Sequence, residues 1–155
     1  FAIEQLKDCR VSLEKLGLDP AYRYAAYDFW AGDFIGVLSD SVPFKPLDMG
    51  YCQIIVLRPI GDVPCFINSD RHVSMDAVSV ISERYSDNKL ILDLAGIPGF
   101  KFNYHIYVPA GMEAKTISAE GAAVVLEKKG FINTIQVYFI EEAAAVEVSF
   151  QGNEM

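Results

Sequence analysis

The sequence contains few of the residues that form metal centres and disulfide frameworks, with three cysteines and two histidines among 155 residues. Cys9, Cys52 and Cys65 are too far apart for a zinc or redox motif, and their odd number indicates free thiols. With only His72 and His105 besides, a metal site would need carboxylates that the sequence does not bring together. We therefore expect no metal and no other cofactor. Free-cysteine usage favours a cytoplasmic location over a secreted one.

Basic residues are also scarce, because 13 lysines and arginines against 21 aspartates and glutamates give a net charge of −8. They are scattered, so the chain lacks the clustered positive charge that binds nucleic acids. No apolar run approaches the roughly 18 to 20 residues of a membrane-spanning helix. Hydrophobic residues make up 52% of the chain, which is enough for one packed domain. The chain begins at Phe1 without signal-peptide features, and we expect it to be part of a longer protein.

The first sixteen residues have the spacing of an amphipathic helix. Its apolar positions are Ile3, Leu6, Cys9, Leu13 and Leu16. Gly17 and Pro20 are typical of a helix stop. We predict one short N-terminal α-helix and a junction over residues 1–20, followed by a β-sandwich domain over residues 21–155. The apolar stripe docks in cis on the sandwich or covers a missing partner, and in the second case the isolated chain would form a homodimer.

The rest of the chain has the pattern of short strands separated by turns. Residues 51–59 are the longest β-branched and apolar run, which predicts a central strand with Ile54 and Val56 deeply buried. Residues 23–30 and 34–39 are predicted to form a hairpin. Further strands are predicted at residues 73–85, 89–95, 102–108, 122–128, 134–140 and 145–150. Their alternation and spacing predict an all-β fold, an antiparallel two-sheet β-sandwich.

An acid, a base and an imidazole adjoin only at Asp70, Arg71 and His72. Adjacent residues on an extended chain point to opposite faces, so these three do not converge on one substrate atom. We interpret Arg71 as structural, with its five donors satisfying loop carbonyls. The sequence lacks the serine elbow of hydrolases and the glycine-rich loop of phosphate-binding proteins. It therefore predicts no catalytic residue.

Aromatic residues crowd into residues 22–30. Strand alternation would place Tyr22, Tyr24 and Trp30 on one side of this segment, opposite Tyr27 and Phe29. The aromatic residues then pack a core or an interdomain surface, or Tyr22, Tyr24 and Trp30 stack on a sugar. The sequence leaves both interpretations open. Asp28 and Asp33 flank the hairpin turn and are interpreted as turn-capping residues.

Five short motifs resemble a known family. They are LGLDP at 16–20, YDFWAG at 27–32, LRP at 57–59, SDRHV at 69–73 and YVPAG at 107–111. In this order they are similar to the C-terminal β-sandwich region of bacterial α-galactosidase-type (melibiase-like) glycoside hydrolases, over roughly residues 16 to 150. The resemblance implies a non-catalytic accessory domain that supports the catalytic barrel of the same parent chain, with residues 1–16 at the junction. Its structural motif residues would be Asp28, Trp30, Arg58, Arg71 and His72.

Two other functions are consistent with the sequence. A carbohydrate-binding module would use Tyr22, Tyr24 and Trp30 as its exposed aromatic contacts. A small stand-alone enzyme would need Asp70 and His72 in one pocket with further groups. In the family that the chain resembles, the catalytic carboxylates belong to the barrel, and no segment here is similar to the strand ends that carry them.

Overall fold

The computed structural model describes residues 9–48, 50, 52–71 and 79–152. These residues form an all-β fold with antiparallel pairing, and the sandwich predicted from the sequence is confirmed. The strands are β1 (Cys9–Ser12), β2 (Arg23–Asp28), β3 (Asp33–Leu38), β4 (Ser41–Phe44), β5 (Ile55–Ile60), β6 (Cys65–Ser69), β7 (Val80–Ser86), β8 (Lys89–Ala95), β9 (Lys101–Tyr107), β10 (Met112–Glu120), β11 (Ala122–Lys129), β12 (Ile132–Phe139) and β13 (Ala143–Gly152). Within the described residues, no helix is long and apolar enough to cross a membrane.

The chain forms two compact units, which divide between Ile60 and Gly61. In the first unit, β3, β2 and β5 form a sheet in that order, and β1 pairs with β4. β2 is the middle strand, and five consecutive residues of β2, from Tyr24 to Asp28, are buried. The predicted hairpin of residues 23–30 and 34–39 is confirmed as β2 and β3.

The prediction of a deeply buried central strand at residues 51–59 is wrong. β5 is the outer strand of the three-stranded sheet, and Ile54 and Val56 are only half-buried. A β-branched run indicates a strand, but its position within the sheet depends on which neighbours pair with it. Here β2 pairs on both sides and takes the central place.

The predicted helix over residues 1–16 is also wrong. Residues 9–12 form β1, which pairs with β4, and only one 3-10 turn follows at Glu14–Leu16. Residues 1–8 lie outside the described residues. Cysteine, valine and serine, which occupy much of 9–12, are poor helix formers, so pairing with β4 overrides the helical spacing. Leu13 is fully buried with Tyr24 and Val42, so it belongs to the core of the first unit and to no exposed stripe.

The second unit is a sandwich of two four-stranded sheets, ordered β10-β13-β8-β7 and β11-β12-β9-β6. Their inner faces share one core, whose fully buried members include Leu90, Leu92, Leu94, Tyr104, Ile106, Ile135, Val137, Val146 and Val148. This confirms the alternation predicted for β8, β9 and β13. The strand predicted over residues 73–85 is described from Val80 onward, and its earlier part lies outside the described residues.

Strand β10 was not predicted. Its core-facing side chains are small or only partly buried, and the pairing register with β13 shifts between Ala114 and Thr116. Such an irregular strand has no clean alternation. Gly121 then connects the edge strands β10 and β11 with a positive φ of 76°, and a Cβ there would lie 2.2 Å from the carbonyl oxygen of Ala143. Only glycine fits this turn.

Candidate functional site

The three aromatic residues predicted as sugar contacts are not brought together. Tyr24 is 4% exposed in the core of the first unit, and its hydroxyl donates to the carbonyl oxygen of Asp19 at 3.0 Å. Tyr22 and Trp30 are 55% and 60% exposed. They lie beyond opposite ends of β2, whose length is roughly 20 Å at about 3.3 Å per residue. One sugar ring therefore cannot stack on both.

Asp28 holds the turn of the first hairpin, as its position predicts. Its carboxylate is buried, and Oδ1 accepts a hydrogen bond from the backbone N–H of Ala31 at 3.1 Å. Oδ2 accepts from Nε2 of Gln53 at 2.7 Å. Trp30 contacts Phe29 edge to face, with ring centroids 4.9 Å apart. Arg58 lies half-buried on β5, opposite Ala25 of β2.

Arg71 also has a local structural environment. Its Nη1 donates a hydrogen bond to the carbonyl oxygen of Ala95, and its guanidinium lies 5.3 Å from the ring centroid of Phe102. Its backbone N–H donates to Oγ of Ser69 at 3.2 Å. These contacts are of the kind that the sequence predicts for Arg71. His72 lies outside the described residues.

A polar cluster of the second unit lies on the outer face of β9 and β12 and at the end of β6. Asp70 follows β6, and its carboxylate accepts from the backbone N–H of Asn103 at 2.8 Å and from Nδ2 of Asn103 at 2.6 Å. The backbone N–H of Asp70 donates to the carbonyl oxygen of Asn103 at 3.1 Å. Three bonds between two residues fix the orientation of this carboxylate at the edge of β9.

His105 is the next outward residue on β9. Its Nδ1 lies 3.1 Å from Oγ1 of Thr134 on β12. Burial lowers the pKa of His105, and the negative charge of Asp70 opposes this only in part. The imidazole is therefore neutral at pH 7. Asn68 of β6 faces it, almost fully buried, and the Asn68 Oδ1 has no hydrogen-bond partner among the described residues.

Beyond Asn103, in the direction away from His105, the same face is exposed to solvent. Tyr138 of β12 is 48% exposed and lies between Lys101 of β9 and Ala123 of β11. Gln136 lies directly opposite Asn103. Sequence reasoning did not single out Tyr138 or Gln136 as site residues. The alternation along β12 could have done so, because Thr134, Gln136 and Tyr138 interleave with the buried Ile135, Val137 and Phe139.

This face lacks the geometry of a hydrolytic site. Asp70 and Glu127 are both exposed, with Asp70 bonded to Asn103 and Glu127 bonded to Gln136, whereas the general acid of a glycosidase is a carboxyl that burial keeps protonated. The pair of His105 and Thr134 combines a base with a hydroxyl, but it lies on the outer face of the sheet and does not line the described groove. Within the described residues, no group of three histidine, cysteine or carboxylate side chains is placed to bind a metal ion.

A shallow open groove of about 260 Å³ lies on the opposite sheet. Ala143 and Ala145 line it together with Asp93, Glu120 and Glu141. Asp93 is bonded to Oγ of Ser82 and to Arg84, and both glutamates are exposed. A general acid in glycoside cleavage is a carboxyl that burial keeps protonated. The groove offers no buried carboxyl of this kind.

Comparison of the chain with protein-family models, curated proteins and solved structures finds no match.

Proposed function

We propose that the chain is the non-catalytic C-terminal accessory β-sandwich of an α-galactosidase-like glycoside hydrolase. Its role is structural support of the catalytic barrel of the same parent chain. The order of the five motifs supports this family, and the two-sheet antiparallel sandwich agrees with the accessory domain that the resemblance implies.

The observation that carries the proposal is the local role of the motif residues. Asp28 caps a turn, and Arg71 bonds a carbonyl and covers an aromatic ring. Neither side chain lines the described groove of the second unit. Residues that maintain a fold are what a supporting domain needs.

The first test is the reading frame upstream of the codon for Phe1. It should encode a catalytic barrel, and a reading frame without a barrel would overturn the proposal. The purified chain should not hydrolyse nitrophenyl galactosides. Hydrolysis by the pure chain that disappears in Glu120→Gln would place a catalytic carboxyl in the groove and contradict an accessory role.

In the parent enzyme, Asp28→Ala should lower the melting temperature and the yield of folded enzyme, because the turn loses its buried acceptor. The kcat/KM per folded molecule should stay unchanged, because the chemistry belongs to the barrel. Asp33→Ala is the matched control, since Asp33 is exposed at the other end of the same hairpin turn. A loss of kcat/KM in folded Asp28→Ala would contradict a purely supporting role.

A further inference from the structure

The two outer faces of the sandwich differ in chemistry. The sheet of β7, β8, β10 and β13 carries ion pairs between Lys89 and Glu147 at 2.8 Å and between Arg84 and Asp93 at 3.3 Å. Pairs of this kind are an ordinary solvated surface. The outer face of β9 and β12 instead carries mainly uncharged hydrogen-bonding side chains around an exposed tyrosine: Asn103, His105, Thr134, Gln136 and Tyr138.

Five residues on this face form what we call the polar strip: Asp70, Lys101, Asn103, Gln136 and Tyr138. Tyr138 lies opposite Lys101, and Gln136 lies opposite Asn103 one row further, about 7 Å along the strand. Ala123, the neighbour of Tyr138 on β11, is too small to cover the tyrosine ring. The ring is therefore accessible beside a row of hydrogen-bonding groups.

Existing bonds orient the polar groups of the strip. Asn103 holds Asp70 through its backbone and side-chain N–H groups. Nε2 of Gln136 donates to Oε1 of Glu127 at 2.8 Å, which directs Oε1 of Gln136 away from that bond as an acceptor. Asp70 is exposed, and each carboxylate oxygen has a second lone pair. Lys101 is an exposed donor on the same face.

We infer that the polar strip binds a neutral saccharide. A pyranose has an apolar C–H face that stacks on an aromatic ring, and its hydroxyl groups donate and accept hydrogen bonds around its edge. Tyr138 supplies the ring, Gln136 and Asp70 accept from hydroxyls, and Lys101 donates to a sugar oxygen. Asn103 acts as a positioning residue for Asp70. Asp70 and Glu127, which is bonded to Gln136, outnumber Lys101 on this face, so the strip suits a neutral saccharide better than an anionic one.

This site goes beyond the accessory role and does not depend on it, since a domain can support a barrel without binding sugar. It also differs from the predicted contact residues Tyr22, Tyr24 and Trp30. The open face of a sheet encloses a ligand less than a cleft does, so we expect a dissociation constant of about 1 mM.

The test is an NMR titration of the full chain with melibiose, lactose and cellobiose, three neutral disaccharides that differ in sugar and linkage. We expect saturable shifts of the backbone amides of 101–103 and 136–138 and of the Gln136 side-chain amide. Tyr138→Ala should weaken binding by about 10-fold, because the stacking surface is lost. Tyr138→Phe keeps the ring and should bind within about 3-fold of the original protein.

Two further variants make the test decisive. Gln136→Ala removes an acceptor and should also weaken binding, which gives a second readout if Tyr138→Ala fails to fold. Tyr22→Ala removes an exposed tyrosine of the first unit and should leave the dissociation constant unchanged. The inference is overturned if none of the three sugars shifts the strip at tens of millimolar. It is also overturned if folded Tyr138→Ala binds as before, or if Tyr22→Ala abolishes binding.

Discussion

Arg71 lies at the start of the segment between β6 and β7, and its side chain contacts two other parts of the second unit. It bonds the carbonyl oxygen of Ala95 at the end of β8 and lies over the ring of Phe102 on β9. A planar guanidinium can stack and donate at once, whereas an ammonium is a point charge without a flat face. The side chain thus combines a charge-assisted hydrogen bond with a cation–π contact.

We expect Arg71→Lys to lower the free energy of unfolding by about 1–2 kcal/mol, because the lysine cannot keep both contacts. Chemical denaturation followed by far-ultraviolet circular dichroism measures the change in the free energy of unfolding. The control is Arg84→Lys, an exposed arginine paired with Asp93 at 3.3 Å, which should change stability by less than about 0.5 kcal/mol. Equal effects of the two substitutions would show that Arg71 has no special structural role.

The sequence predicts some residue roles well, and tertiary structure decides others. Asp28 sits before a glycine-containing turn, and its capping bond to Ala31 follows from that local pattern. The burial of Tyr24 does not follow from the alternation of side chains along a strand, because β2 is covered on both faces and all residues from 24 to 28 are buried. The exposure of Tyr138 depends on the small neighbour Ala123, which only strand pairing identifies.

At the scale of elements, Glu113 links the edge strands of the two sheets of the sandwich. Its carboxylate pairs with Lys115 on β10 at 2.7 Å and with Lys128 on β11 at 3.0 Å. Hydrogen bonds from Lys115 and Lys128 lower the pKa of Glu113 from its ordinary 4.5 to about 2. The pairs are exposed, so salt screens them.

The pH dependence follows from the lowered pKa. Glu113 contributes stability that is fully present above the unfolded-state pKa near 4.5 and is lost as pH falls through about 2. The melting temperature of Glu113→Gln should therefore be lower than that of the original protein at pH 7. This difference should shrink between pH 4.5 and pH 2, and also in about 1 M NaCl.

Glu120→Gln, on the same strand, is the control for the effect of Glu113. It should show a smaller difference at pH 7, because Glu120 makes no ion pair within the described residues. A difference for Glu113→Gln that persists unchanged at pH 2 would mean that its side chain acts through packing and that its charge contributes nothing.

Most of the strands that sequence reasoning predicted correctly have clean alternation, whereas β2, which is buried throughout residues 24–28, was predicted from the hairpin turn that follows it. β8 matches the predicted range of residues 89–95, and β9, β11, β12 and β13 differ only at their ends. The errors have physical causes. β1 carries helical spacing but pairs with β4, β5 carries the strongest strand run but lies at an edge, and β10 has weak alternation interrupted by a register shift.

At the scale of the whole molecule, the division between Ile60 and Gly61 gives each unit its own core. The buried cluster of the sandwich is drawn from residues 66 to 150, and the smaller cluster contains Leu13, Tyr24 and Val42. Hydrophobic pattern identifies strands but not which strands share a core, so the sequence predicted a single sandwich over residues 21–155. The described sandwich begins with β6.

Two truncated chains distinguish the division between Ile60 and Gly61 from the predicted junction at residues 1–20. The fragment 61–152 retains every strand of both four-stranded sheets, so we expect it to fold cooperatively and to keep slow amide exchange in β8, β9, β12 and β13. The fragment 21–152 loses β1 and the fully buried Leu13. Loss of one buried leucine alone costs about 2–5 kcal/mol.

In the fragment 21–152, amides of β2 and β5 should therefore exchange much faster than in the full chain, while those of β8 and β13 keep their protection. Hydrogen exchange followed by NMR measures both sets in one sample. Unchanged protection of β2 in that fragment would support the predicted junction at residues 1–20, since the first strand would then be dispensable. Loss of protection in β8 within 61–152 would instead show that the sandwich needs residues before Gly61 to fold.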